Sequence, residues 1–175
     1  LNGLDELGYL QSFAEQIELC QSLGVTHYVF RPRYIPDARR DQPYHSHGNH
    51  KFDLTPERLV KEGAALTRKL RDAGLEPWGT VPALTVDADD DAIQQAVEGA
   101  ANAEAGCMRL GPPKYPGAVF DYAAFLDKTL ERYREVVDKI SKPSGIKLII
   151  ETHVGSLASS PGLAWNLCRP FDPSE

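Results

Sequence analysis

The chain repeats one unit: an amphipathic helix that is halted, most often by glycine, and followed at once by a short apolar strand. Leu10, Phe13, Ile17, Cys20 and Leu23 recur at spacings of three and four, the stripe of a helix that buries one face. Gly24 stops it, and residues 25–30, rich in β-branched and aromatic side chains and closed by Pro32, follow as a buried strand. Thr55, Pro56 and Glu57 then supply a cap and a proline at a first helical position, and Leu59, Gly63, Leu66, Leu70 and Ala73 carry the stripe to Gly74. Residues 76–81 form the next strand. The acidic run Asp87–Asp91 opens a helix through Ile93, Val97, Ala100 and Ala101, where the helix dipole favours negative charge. Residues 107–111 give a third strand. After a proline-rich stretch, a long helix from Tyr122 to Ile140 leads into residues 146–151, the most hydrophobic strand, and a last helix spans Pro161 to Cys168.

Strands alternating with helices of this length call for a mostly parallel sheet in one α/β domain over residues 1–175. Periodicity does not separate a doubly wound sheet from a β/α barrel. In both, chemistry gathers at the carboxyl ends of the strands.

Composition narrows the function classes. The balance of 19 basic against 25 acidic side chains gives a net charge of −6, which argues against nucleic acid as a partner. No apolar run approaches the ~20 residues that cross a bilayer, and no leader pattern is present, so a soluble, cytoplasmic protein is expected. The 3 cysteines, Cys20, Cys107 and Cys168, each lie in an apolar segment and are expected to be packed, reduced thiols. Dinucleotide, P-loop and nucleophile-elbow glycine patterns are absent.

The strand ends carry the candidate chemistry. Glu151 closes the last strand, where a hard carboxylate suits Mn²⁺, Mg²⁺, Co²⁺ or Zn²⁺; alternatively it caps the next loop. His153, two residues on, shares its side if the strand continues, as a substrate contact or a loop histidine bonded to backbone. Arg31 and Arg109 end two other strands and suit a phosphate or carboxylate, or a salt bridge in the rim. Trp78 offers a wall for a sugar ring, or belongs to the core. His45, His47 and His50 crowd a long polar connection, which is expected to cover a substrate rather than hold zinc.

Residues 146–167, with an apolar strand ending in Glu151, polar residues, Gly155 and a helix, resemble the region of the first metal-binding glutamate in the xylose-isomerase-like barrel superfamily, whose members include sugar isomerases, epimerases and endonuclease IV. The remaining helix-strand units fit the same picture across nearly the whole chain. The resemblance implies an incomplete β/α (TIM-type) barrel of about four strands. It implies Glu151 as ligand of a divalent metal and as acid-base group, with an Asp, a His and a second Glu supplied beyond Glu175. It implies isomerisation or epimerisation of a sugar, sugar phosphate or inositol-like ketose, by proton transfer through an enediolate in the full-length protein. The alternatives are an endonuclease IV-like phosphodiesterase, a non-catalytic barrel fragment that self-associates as a homo-oligomer, and a complete doubly wound domain.

Overall fold

The computed structural model describes residues 11–34, 37–39, 41 and 50–173. Four parallel strands lie in sequential order: β1 (His27–Phe30), β2 (Glu76–Thr80), β3 (Cys107–Arg109) and β4 (Lys147–Ile149). Sequential order without reversal is the winding of a barrel, and among the described strands there is no switch point of the kind that a doubly wound sheet uses. Helices α1 (Phe13–Ser22), α2 (Pro56–Asp72), α3 (Asp90–Asn102), α4 (Tyr122–Val136) and α5 (Pro161–Cys168) accompany the strands.

Local chemistry explains the helix starts. Ser12 and Glu15 form a capping box at α1, Thr55 accepts the Arg58 amide with Pro56 at the first turn of α2, and Ser160 accepts the Leu163 amide at α5. The acidic run does open α3, with Asp89 as its N-cap, although without a side-chain cap bond. Gly24 and Gly74 leave α1 and α2 at φ of +65° and +78°, backbone that favours glycine. The long helix does not stay regular to Ile140. It widens into a π-type turn, Val137–Ser141, because Pro143 has no amide to return to the preceding turn, and the Lys142 amide reaches back to the Val137 carbonyl.

Register sorts the two faces of the sheet. Phe30, Thr80, Met108 and Leu148 form one row; Val29, Gly79, Cys107 and Lys147 form the next, on the other face. The first row meets the helices. Phe30 packs with Phe13, Tyr28, Leu59, Leu66 and Leu70, and Met108 with Ile93, Val97, Tyr133 and Val136. Burying each such side chain contributes about 1.5–3 kcal/mol. The second row lines the concave face, and a Cβ on Gly79 would stand 2.7 Å from the Cys107 Sγ. Cys20 and Cys107 are buried free thiols as expected; Cys168 is also free but exposed, since it ends α5 at the margin of the sheet. Among the described residues no helix is long and apolar enough to cross a membrane.

Candidate functional site

At the carboxyl ends of the strands the connecting loops are tied to one another. Thr85 and Gly111 bridge the loops after β2 and β3, and Lys114 and Ser156 bridge those after β3 and β4, where the Tyr115 amide also bonds the Gly155 carbonyl. These ties hold the rim above the concave face.

Arg109 and Glu151 meet there. Arg109 is the last residue of β3 and stands opposite Ile149, the last of β4. Glu151 lies two residues farther on, beyond the end of β4, and Arg109 Nη1 donates to Glu151 Oε2 at 2.6 Å. The Arg109 side chain is 24% exposed and that of Glu151 47%. The Arg109 Nε is buried and has no hydrogen-bond partner. The sequence reading allowed Arg109 a salt bridge in the rim as its alternative role, without naming Glu151 as the partner.

The expected strand is shorter than its apolar run. β4 ends at Ile149, so Glu151 and His153 sit on irregular backbone and strand alternation does not place His153 beside Glu151. His153 belongs to a turn. Its amide bonds the Ala158 carbonyl, Ser156 Oγ bonds its carbonyl, and its Nδ1 lies 3.0 Å from the Val154 carbonyl. In the neutral ring that contact puts the proton on Nδ1 and leaves Nε2 as an acceptor.

The other candidates are farther off. Arg31 follows β1 on the same face as Arg109 by alternation, two strands away, or about 10 Å across the sheet. Trp78 is the extra residue of a β-bulge: Tyr28 pairs with Pro77 and Val29 with Gly79, which leaves Trp78 without an opposite residue and 49% exposed, outside the core. It is level with Gly106, about 10 Å below the rim. His45 and His47 lie outside the described residues. Among the described residues no three His, Cys, Asp or Glu side chains cluster to hold a metal. Glu151, with Oε2 engaged by Arg109, is a lone carboxylate that makes no metal site with the other described residues.

An apolar groove of about 570 Å³ lies elsewhere, along the edge of β4, lined by Tyr133, Leu148, Ile150, Trp165, Leu167 and Phe171 among others.

No family model matches the sequence, and no curated protein matches it. Solved structures do. The IolI protein with a bound zinc atom superposes with a TM-score of 0.67 at 14% identity over 95% of this chain and 56% of that one. A protein from Sinorhizobium meliloti 1021 gives 0.63 at 20% identity over 98% and 58%. A D-tagatose 3-epimerase-like protein gives 0.61 at 17% identity over 94% and 59%. The chain thus spans less than two thirds of the length of these barrels, and at such identities the likeness is one of fold.

Proposed function

We propose, from the premise that the chain carries the fold of the xylose-isomerase-like β/α barrels, that it supplies part of the active site of a sugar isomerase or epimerase dependent on a divalent metal. Glu151 is the residue we assign to the chemistry, as metal ligand and as the carboxylate that moves a proton at the carbon beside the substrate carbonyl. The observation that carries this reading is the placement of Glu151 at the strand-end rim of a barrel sheet, held by Arg109. The zinc named for the IolI protein supports a divalent metal, and the tagatose-epimerase-like neighbour supports a sugar as substrate.

A bound divalent cation would polarise a carbonyl and an adjacent hydroxyl of the substrate as a Lewis acid. The chain's own residues do the rest. The Glu151 carboxylate can take a proton from the substrate carbon and return it to complete the isomerisation, provided that the carbon lies within hydrogen-bond reach. Arg109 and Arg31 are the cations suited to a phosphate or hydroxyl oxygen, and His153 Nε2 is an acceptor for a hydroxyl. Trp78, deeper in the sheet, offers an aromatic face. The net charge of −6 favours this reading over a phosphodiesterase acting on DNA.

Titration of the purified chain with Mn²⁺ by calorimetry, against Glu151→Ala, tests it. Saturable binding that the substitution abolishes supports Glu151 as a ligand, and no binding by either protein leaves the site to ligands that the described residues do not supply. Binding that survives in Glu151→Ala removes Glu151 from the metal site.

A further inference from the structure

We infer that two copies of the chain pair through the open edge of β4, antiparallel about a two-fold axis at Ile149. The interface goes beyond the metal reading and does not rest on it.

The edge is set to pair. Lys147 and Ile149 turn their backbone groups toward β3: the Lys147 amide bonds the Gly106 carbonyl, and the Ile149 carbonyl accepts the Leu110 amide. By alternation the backbone groups of Leu148, and of Ile150 just past β4, point to the other side. β4 ends the order of the sheet, so among the described residues no strand meets them. Burial shows the consequence. Cys107 and Met108 of β3 are buried, whereas Lys147 is exposed and Leu148, Ile149 and Ile150 are only partly covered. An uncovered apolar strand edge is a template for another strand.

The groove of about 570 Å³ beside this edge fits aliphatic side chains. Leu148 and Ile150 form its floor, and Trp165, 64% exposed, stands with Leu167 and Phe171 along its wall. In an antiparallel pair centred on Ile149, Leu148 of each copy exchanges both backbone hydrogen bonds with Ile150 of the other. Each copy thereby sets two more aliphatic side chains against the groove of its partner.

Charge selects the occupant and the register. Lys147 and Glu151 lie two residues to either side of Ile149, and both reach the concave face, Lys147 beside Cys107 and Glu151 beside Arg109. Pairing about Ile149 sets Lys147 of each copy opposite Glu151 of the other, two ion pairs per dimer. Among the described residues Lys147 has no ion pair of its own. A lysine on an edge ordinarily blocks strand addition. Here it admits a strand with a carboxylate at one position, which the same edge of a second copy supplies, and a shift of register by one residue breaks both pairs.

The test is sedimentation equilibrium of the full chain, free of metal, over a concentration series for wild type, Lys147→Glu, Glu151→Lys and an equimolar mixture of the two variants. Without metal the outcome does not depend on whether Glu151 is a ligand. Wild type is expected to dimerise. Each variant alone sets like charges opposite one another at both positions and raises the dimer dissociation constant at least about 10-fold. The mixture restores opposite charges at both positions and recovers most of that loss, which a folding defect in either variant would not allow. The two-fold is read by disulfide formation in a Cys168→Ser background, which removes the exposed native thiol. Ile149→Cys links to its own counterpart on mild oxidation and Lys147→Cys does not, because only residues at the axis come within disulfide reach. A wild type that stays monomeric, single variants that associate as tightly as wild type, or a mixture no tighter than either variant alone overturns the proposal. Linking through Lys147→Cys rather than Ile149→Cys overturns it as well.

Discussion

Two arginines of this molecule have the same side-chain exposure, 24%, and opposite surroundings. Arg132, on α4, is nearly saturated. Its Nε and Nη2 donate to the carbonyls of Val86 and Ala88 at 2.9 Å each, Nη2 also lies 2.6 Å from Asp90, and Nη1 is 3.3 Å from Glu135. It joins the loop between β2 and α3 to the helix that packs behind it. Arg109, at the rim, has a single carboxylate partner in Glu151 and a buried Nε with no partner. Equal burial of the same side chain thus serves two ends. A guanidinium whose donors are filled by backbone carbonyls is fixed by folding and fixes the fold in turn. One that is left partly unsatisfied beside a carboxylate at a strand end adds little to the fold.

Stability measurements can break this comparison. The largest effect belongs to Arg132→Met, which keeps the apolar stem but removes every donor. The carbonyl of Val86, a residue only 1% exposed, is left without this bond, and Asp90 and Glu135 lose their cation. Charge-assisted hydrogen bonds contribute about 1.5–3 kcal/mol each and are not additive, so a loss of about 2–4 kcal/mol is expected from urea unfolding at neutral pH. A loss below about 1 kcal/mol would show that the loop refastens without Arg132.

Arg109→Met should be much milder. It removes a half-exposed ion pair worth about 0–1 kcal/mol and also removes a buried unpaired donor whose presence is unfavourable, so the change should stay within about 1 kcal/mol of zero. If Arg109→Met unfolds at the same urea concentration as Arg132→Met, the two sites do not differ in kind, and the case for Arg109 as a functional group loses its footing.

The difference between the two arginines also marks what the sequence could and could not disclose. Local signals were legible because they act over a few residues: the Thr55-Pro56 start of α2, the glycines at +65° and +78° after α1 and α2, and the acidic start of α3. So was the burial of Phe30, Leu59, Leu70 and Ile93. What depends on pairing between distant segments was not legible. Arg132 looks like one charge among several on a solvated helix face, because its carbonyl partners lie 44 and 46 residues away. The bulge at Trp78 exists only in the register of β2 against β1. Gly63 fits an ordinary stripe position, yet a Cβ there would come within 2.8 Å of the Ala103 amide nitrogen, so glycine is what lets α2 close on the end of α3. The early end of β4 has the same origin: its ladder with β3 covers Lys147 to Ile149, and apolar composition alone does not extend it. For the candidate site, the sequence pointed to Glu151 and Arg109 separately, and only the fold joined them across 42 residues.

The smallest effect expected concerns a third contact, which sharpens the comparison by lying outside both classes. Tyr34, 57% exposed, stands at the start of the connection from β1 to α2. Its hydroxyl donates to Glu57 in the first turn of α2 and lies 3.0 Å from Gln95 Oε1 on α3. The hydrogen bond to Glu57, with some burial and the negative charge of that carboxylate, pushes the Tyr34 hydroxyl up to about 12, and the same bond holds the Glu57 carboxyl below its usual range. A phenol whose pKa is higher folded than unfolded stabilises the fold fully below its unfolded value near 10, and that contribution fades as the pH rises toward 12. Wild type should therefore exceed Tyr34→Phe in urea midpoint by a small constant amount from pH 8 to about 9.5, and the two should converge near pH 12. The difference isolates Tyr34, because every other titrating group is common to both proteins. Convergence would identify an exposed contact that stabilises through one proton, distinct from Arg132, which acts through many bonds, and from Arg109, which has a single carboxylate partner. A gap that persists unchanged to pH 12 would mean that the ring of Tyr34, rather than its hydroxyl, anchors the connection.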